Sequence, residues 1–219
     1  FKSPHLEYRQ SELVLEQQTF HEKLARKNLN PGEKFILVGS DSMTFSLSLL
    51  FCYTYGLNIL PMSSANYKKN LLPSKDFNAH GVISLKNQSL DFSLEKYRSS
   101  KILPQHENRI FLLTSGSTGN PKVVSLSEKT LYDRAFIESK IFNLSPQTRV
   151  LSVSSLSHEL GLTQIFSSLL SKATLCFSPA FFTQDIYQCI NKFRVHGIIA
   201  TTFFWERVCQ EPPSPTLSL

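Results

Sequence analysis

The sequence predicts an α/β protein with a largely parallel sheet, and three observations carry that prediction. Short apolar runs rich in branched residues recur along the chain: "FILVG" (35–39), "LNIL" (57–60), "GVISL" (81–85), "RVLSVS" (149–154), "ATLCF" (173–177) and "GIIAT" (197–201). Segments of helical length lie between most of them, and strands that alternate with helices in this way form parallel sheets. The composition agrees, because 219 residues with 41% hydrophobic and 18% charged side chains can bury a sizeable core.

Residues 10–29 set Leu13, Leu15, Phe20, Leu24 and Leu29 at near-helical spacing among charged neighbours, and "NPGEK" then ends the helix in a turn. After "FILVG", the good N-caps Ser40, Asp41 and Ser42 precede an apolar helix over about 43–55. Ser42 to Tyr67 carries no charge. Gly56, Asn58 and Pro61 interrupt it after roughly three helical turns, short of the ~20 apolar residues of a membrane span, so it reads as a buried helix and then a strand. A short helix near 64–71, the strand "GVISL" and a polar stretch to about 108 follow. "RIFLL" and "VVSLS" flank a polar loop, and helices near 128–142, 158–171 and 184–195 separate the remaining strands. No stretch visibly repeats another. "EPPSPTLSL" cannot continue a helix, so residues 211–219 read as a proline-rich tail or truncated linker behind a domain spanning 1–210.

The formal charge of +6 comes from 23 basic and 17 acidic residues interspersed along the chain. There is no arginine-rich run or aromatic-basic stripe, so no nucleic-acid partner is expected, and mild basicity suits an anionic ligand. Cys52, Cys176, Cys189 and Cys209 form no CxxC pair and have no histidine at ligand spacing, a pattern of buried thiols in a reducing cytoplasm and of no metal site. The opening "FKSPHLEYRQSE" is too charged for a signal peptide, and a first residue other than Met fits a piece of something longer.

The most informative stretch is "FLLTSGSTGNPKVV" (111–124). A strand delivers Thr114, Ser115, Gly116, Ser117, Thr118, Gly119, Asn120, Pro121 and Lys122, and a second strand leaves. Glycines let successive backbone N–H groups face one concavity, hydroxyls add donors, and the lysine supplies a mobile cation; these are the parts of a phosphate cradle. The spacing is not that of the Walker loop, because Gly116 and Gly119 are three apart and no hydroxyl follows Lys122 to hold magnesium. Ser, Gly, Asn and Pro are also what solvated hairpin turns are made of, and composition alone leaves both readings open.

The string "LLTSGSTGNPKVV" closely resembles the phosphate-binding signature of the adenylate-forming superfamily, which comprises acyl- and aryl-CoA ligases, luciferases and the adenylation domains of peptide synthetases. Thr114, Ser115, Gly116, Ser117, Thr118, Gly119, Pro121 and Lys122 fall on matching positions. "LNPGEKFILVGSDSMTFSLSLLFCYTYGLNILPM" and "SLSHELGLTQIFSSLLSKATLCF" are similar to an earlier and a later segment of the family, so the likeness covers most of residues 1–210. Two positions depart from the pattern: Val123 stands where a glycine is usual, and Glu128 where a histidine is frequent.

The resemblance implies an incomplete N-terminal AMP-binding domain. It implies ATP-dependent activation of a carboxylic acid as an acyl-adenylate with release of pyrophosphate, then transfer to CoA or a phosphopantetheinyl carrier protein. In the family the loop clamps the phosphates of ATP, with Ser115, Ser117, Thr118 and Lys122 as the working donors, and His158 matches a histidine near the carboxylate pocket of the acyl- and aryl-acid branches. The family also uses Mg2+, through a carboxylate in a segment that has no counterpart in these residues. Adenine- and ribose-binding segments and a catalytic lysine of a C-terminal domain likewise have none, so the remainder of the ligase is expected in cis or in trans. The alternative is a degenerate relative that keeps the fold as a binding module. His158 also reads as an ordinary helix-start residue, with Ser157 as cap and Glu159 in the first turn. Phe203, Phe204 and Trp205 read as core packing rather than as the lining of an acyl pocket.

Overall fold

Turn chemistry and branched residues divide the chain into two units in the computed structural model, which describes residues 8, 10–40, 43–69, 77–86, 89–97, 108–114, 122–178 and 183–210. One unit comprises Gln10–Leu131 together with Leu156–Glu159; the other comprises the described residues of Tyr132–Ser155 and Leu160–Leu219. The proline-rich tail at 211–219, the caps Asp41 and Ser42, and the end of the short helix at 70–71 lie outside the described residues.

The first unit runs α1 (Gln10–Arg26), β1 (Lys34–Gly39), α2 (Met43–Thr54), β2 (Asn58–Ser63), α3 (Ser64–Lys68), β3 (Gly81–Leu85), β4 (Phe92–Lys96), β5 (Arg109–Thr114) and β6 (Lys122–Ser127). They form a six-stranded sheet of order β4-β3-β1-β2-β5-β6. β1 pairs in parallel with β2 and β3, and β2 with β5, whereas β4 and β6 run antiparallel at the two edges. Alternation sends Ile36, Val38, Leu60, Met62, Val82 and Phe111 into one buried cluster with Phe77, against which Tyr67, Leu113 and Val123 pack. Phe35, Leu37 and Ile59, also buried, point to the opposite face. α1 packs on α2, where Phe20 meets the rings of Phe51 and Phe92 at centroid distances of 5.7 and 5.2 Å.

Asn58 ties this sheet together at the start of β2. It is fully buried, its Nδ2 donates to Gly32 O at 3.0 Å, and its Oδ1 accepts from Arg109 N at 3.0 Å. Asn58→Ala leaves a backbone acceptor and a backbone donor unsatisfied inside the protein. We expect a loss of about 2–3 kcal/mol in denaturant unfolding, with Asn58→Asp failing to restore it, because a carboxylate offers nothing to the Gly32 carbonyl.

The second unit continues from α4 (Glu128–Ile141) through β7 (Arg149–Ser152), α5 (Glu159–Ser171), β8 (Thr174–Phe177), α6 (Thr183–Phe193) and β9 (Gly197–Ile199) to α7 (Thr202–Gln210). Its sheet is parallel and three-stranded, of order β8-β7-β9, over a core of Leu151, Cys176, Ile186 and Cys189.

The α/β class is as the sequence predicts, with differences in detail. The strands divide between two sheets, and the polar stretch before residue 108 contains β4, whose Ser93, Glu95 and Lys96 mask its strand character because an edge strand tolerates exposed polar side chains. Of the three aromatics expected as core, only Phe204 packs against the second core, while Phe203 is 74% and Trp205 41% exposed. Leu15, assigned to the apolar face of α1, is 67% exposed.

The two units share one pattern of turns, a repeat that the sequence reading misses. Asn28 and Asn143 both take positive φ (56° and 48°) where α1 and α4 end, and Leu29 N and Leu144 N close back onto the helix carbonyls Leu24 O and Ser139 O. The turns Asn30–Glu33 and Ser145–Thr148 close identically, by Glu33 N to Asn30 O and by Thr148 N to Ser145 O. Most distinctive is His-Gly at the third strand of each set. Lys34 N donates to His80 Nδ1 and His80 N to Lys34 O; Arg149 N donates to His196 Nδ1 and His196 N to Arg149 O. β1, β2 and β3 therefore correspond to β7, β8 and β9, with the first strand central in each set. Few identical residues survive outside these turns, which is why no repeat is visible by eye.

All four cysteines are free, with Cys52, Cys176 and Cys189 buried and Cys209 exposed. Burial raises the thiols of Cys52 and Cys189 above their ordinary range. A thiol reagent should accordingly titrate one cysteine rapidly in the native protein and all four only after denaturation. Among the described residues no helix is long and apolar enough to cross a membrane.

Candidate functional site

Four pieces of the first unit, namely β1, β2, the β5–β6 hairpin and a segment that returns to it, converge on the edge of its sheet where the parallel strands end. β1, β2 and β5 run the same way and finish there at Gly39, Ser63 and Thr114. β6 runs against β5, so its first residue, Lys122, sits at the same edge, in register opposite Thr114. Thr114 Oγ1 donates to Lys122 O at 3.4 Å, and both residues are exposed. The segment Leu156–Glu159 supplies the fourth piece: the Ser157 hydroxyl accepts the Ser63 N–H at 3.0 Å, while Ser63 Oγ caps α3 through Asn66 N at 3.2 Å. His158 follows directly, exposed, with Glu159 opening α5 as predicted.

The structure therefore brings Thr114 and Lys122 together on paired strands and attaches the segment carrying His158 to the end of β2. Ser115, Gly116, Ser117, Thr118, Gly119 and Pro121 lie outside the described residues; their chain connects the two strands of the β5–β6 hairpin. Val123, the departure from the family pattern, is half-buried against the cluster of Ile36, Val38 and Leu60. Its side chain has found a packing role on the sheet face. Sequence reasoning missed Ser157 as the residue that positions its neighbour, because a serine before a helix reads first as a cap, and nothing local announces a bond to a strand 94 residues away.

The described residues offer hydroxyls, an ammonium and an imidazole at this edge. Among them no group of three or more His, Cys, Asp and Glu side chains comes together to hold a metal.

A mostly parallel sheet whose strands finish together at one edge is the architecture of the class of α/β proteins that bind ligands beyond the carboxyl ends of their strands. The sequence model described as "AMP-binding enzyme" matches residues 64–218, and the chain belongs to that family. Its curated relatives include the nonribosomal peptide synthetase atnA of Emericella nidulans, 30% identical over 131 residues, a stretch that is 57% of this chain and 2% of the synthetase. Apicidin F synthase of Gibberella fujikuroi is 30% identical over 120 residues, 54% of this chain and again 2% of the relative. Among solved structures, the o-succinylbenzoate CoA synthetase of Bacillus subtilis, in complex with the acyl-adenylate intermediate, superposes with a TM-score of 0.73 at 19% identity, over 92% of this chain and 58% of that one. The N-terminal subdomain of Klebsiella oxytoca NpsA, in complex with 3-hydroxyanthranilyl-AMSN, gives 0.77 at 17% identity, over 96% and 57%. The chain thus spans less than two thirds of these solved relatives and a small part of the synthetases.

Proposed function

We propose that this chain is the first part of an ATP-dependent ligase that activates a carboxylic acid, acyl or aryl, as its adenylate and passes it to a thiol of CoA or a carrier protein. The observation that carries the reading is the Thr114–Lys122 pair, which holds both ends of the signature loop at the ligand-binding edge of the sheet. The residue types suit a triphosphate: the hydroxyls and glycines of the signature and the exposed ammonium of Lys122 are donors and a cation for an anion. A bound ATP would supply an electrophilic α-phosphorus, at which an acid oxygen displaces pyrophosphate.

For this chain the work is charge neutralisation and positioning rather than covalent chemistry. Lys122 offsets developing charge on the departing phosphates, Thr114 fixes the strand end from which the loop springs, and the loop donors Ser115, Ser117 and Thr118 orient the phosphates. His158 lies beside the carboxylate of the acid. The histidine in that place, rather than an aspartate to receive an α-amine, favours an acid without an amino group. The family's magnesium-binding carboxylate has no counterpart in this sequence, and we place it in the remaining part of the unit.

The test is acid-dependent exchange of pyrophosphate into ATP, over a panel of fatty and aryl acids, on the 219-residue chain and on any longer protein that contains it. The longer protein is expected to exchange and the chain alone to be silent, because adenylation requires contacts held in register that these residues only begin. Silence from both, with folding intact, overturns the reading and leaves a binding module.

A further inference from the structure

An apolar row runs directly inside the polar edge at which β1, β2 and β5 finish and β6 begins. Gly39, Ser63, Thr114 and Lys122 stand at that edge, and Val38, Met62, Leu113 and Val123 are their neighbours one step further in. Val38 is paired with Met62, and Leu113 with Val123. Val38 and Met62 are buried in the cluster that also holds Ile36, Leu60 and Phe111, and Leu113 and Val123 pack against it. Alternation along the strands then sends the side chains of Thr114 and Lys122 to the opposite face.

Val123 is the member of this row on which the start of β6 depends. Lys122 and Val124 on either side of it are exposed, and Ser125, the next residue on its own face, is exposed too and bonded to Arg109 Nη1 at 3.2 Å. The first buried side chain of the strand is Leu126. The bond that closes the base of the hairpin, Thr114 Oγ1 to Lys122 O, is exposed and 3.4 Å long, and so contributes little in water. Val123 therefore fastens the beginning of β6 to the cluster. The glycine usual at this position in the adenylate-forming pattern would add no side chain to the row and would leave the backbone freer.

We infer that Val123 is a positioning residue: by completing the apolar row it holds the backbone of Lys122 against Thr114, so that the ammonium starts from a fixed point when it meets the phosphates of a nucleoside triphosphate. The nucleotide in this statement rests on the reading of the chain as part of an ATP-dependent ligase; the fastening of the strand does not. Val123 faces the buried cluster and not the side of the sheet that carries the Lys122 side chain, so it acts through the population of the paired hairpin end. Where a binding-competent state is only partly populated, apparent affinity falls by that fraction. A glycine at this position lowers the population and leaves the chemistry of the bound state as it was.

Two readouts test the inference, and the first needs no turnover. Amide exchange in Val123→Gly is followed at Leu112–Thr114 and Lys122–Val124, with Ile36, Leu37 and Leu151 reporting on the rest of the fold. Exchange at the hairpin end is expected to quicken about tenfold while the reporters stay within about twofold of the unsubstituted chain. Val123→Ile should match the unsubstituted chain, and Val123→Ala should fall between. In a longer protein that contains the chain, Val123→Gly is expected to raise KM for ATP about three- to tenfold, with kcat and KM for the acid each within about twofold. Unchanged exchange at the hairpin end overturns the inference. So does quickening shared equally by the reporters, which would make Val123 an ordinary contributor to stability. Local quickening with an unaltered KM for ATP, or with the loss falling on kcat or on the acid, overturns the link to the phosphates. A longer protein that exchanges no pyrophosphate in its unsubstituted form overturns the ligase reading and that link together, while the amides still decide whether Val123 fastens the strand.

Discussion

Gly81→Ala is expected to destabilise the protein by about 3 kcal/mol or more, lowering the melting temperature by roughly 6–12 °C for a chain of this size. The added methyl meets the carbonyl group of Glu95, which is backbone, and the Phe35 ring at 3.0 Å. Neither can step aside cheaply: Phe35 is fully buried, and Glu95 is fixed by its pairing with Val82. Relief requires β4 to move off β3, which also releases Lys96 from Asn28 O and Phe92 from Phe20. The matching substitution at Gly197 supplies the internal control, since nothing lies within 4 Å of the position a Cβ would take there and the site should tolerate the methyl. Thermal melts of the two single variants side by side decide the matter. Equal and small effects would mean that β4 does not pair at Gly81 as described.

If the proposed ligase activity holds, Lys122→Ala is expected to lower acid-dependent pyrophosphate exchange by about 10²–10³-fold in a longer protein that contains this chain while leaving unfolding unchanged. The two halves of that statement come from different facts. Lys122 is exposed, and among the described residues its side chain makes no hydrogen bond or ion pair, so truncating it should remove little packing. Its charge is the cation that the described residues place at the paired base of the signature loop, and in phosphoryl chemistry removing one such group costs more in the transition state than in binding. Lys122→Arg should recover part of the rate, because it keeps the charge but changes its placement. An exchange rate within about threefold of wild type for Lys122→Ala would remove the lysine from the catalytic account.

How much of this could be read from the sequence depended on whether the signal was local. β1, β2, β3, β7 and β8 declared themselves because buried parallel strands are continuous apolar runs, and α2 did so because Met43–Cys52 is uncharged, mostly apolar and wholly buried. β4 did not, since three of its five residues face water. The division into two sheets was also invisible: an apolar run states that it will be buried but not which strand it will pair with. At the site, the loop was legible as nine adjacent residues, whereas the tie between Ser157 and Ser63 depends on a fold that brings distant segments together. The exposure of Phe203 and Trp205 shows the limit of composition, since aromatic bulk predicts burial somewhere and says nothing of the surface that provides it.

The route of the chain between the two units has a consequence for when the site can exist. The chain leaves the first unit after Leu131, builds β7 in the second, and returns to the first for Leu156–Glu159 before leaving again. No single cut separates the units. A fragment ending at residue 131 would contain the signature loop and all six strands of its sheet but not Ser157, so the N–H of Ser63 would lose its acceptor and His158 would be missing altogether. During synthesis the loop emerges early, yet Ser157 and His158 arrive only after β7 has left the ribosome. The edge formed by the ends of β1, β2 and β5, the start of β6 and Leu156–Glu159 is therefore a late product of folding, assembled across both halves of the sequence, and attempts to divide the protein for study must keep the two together.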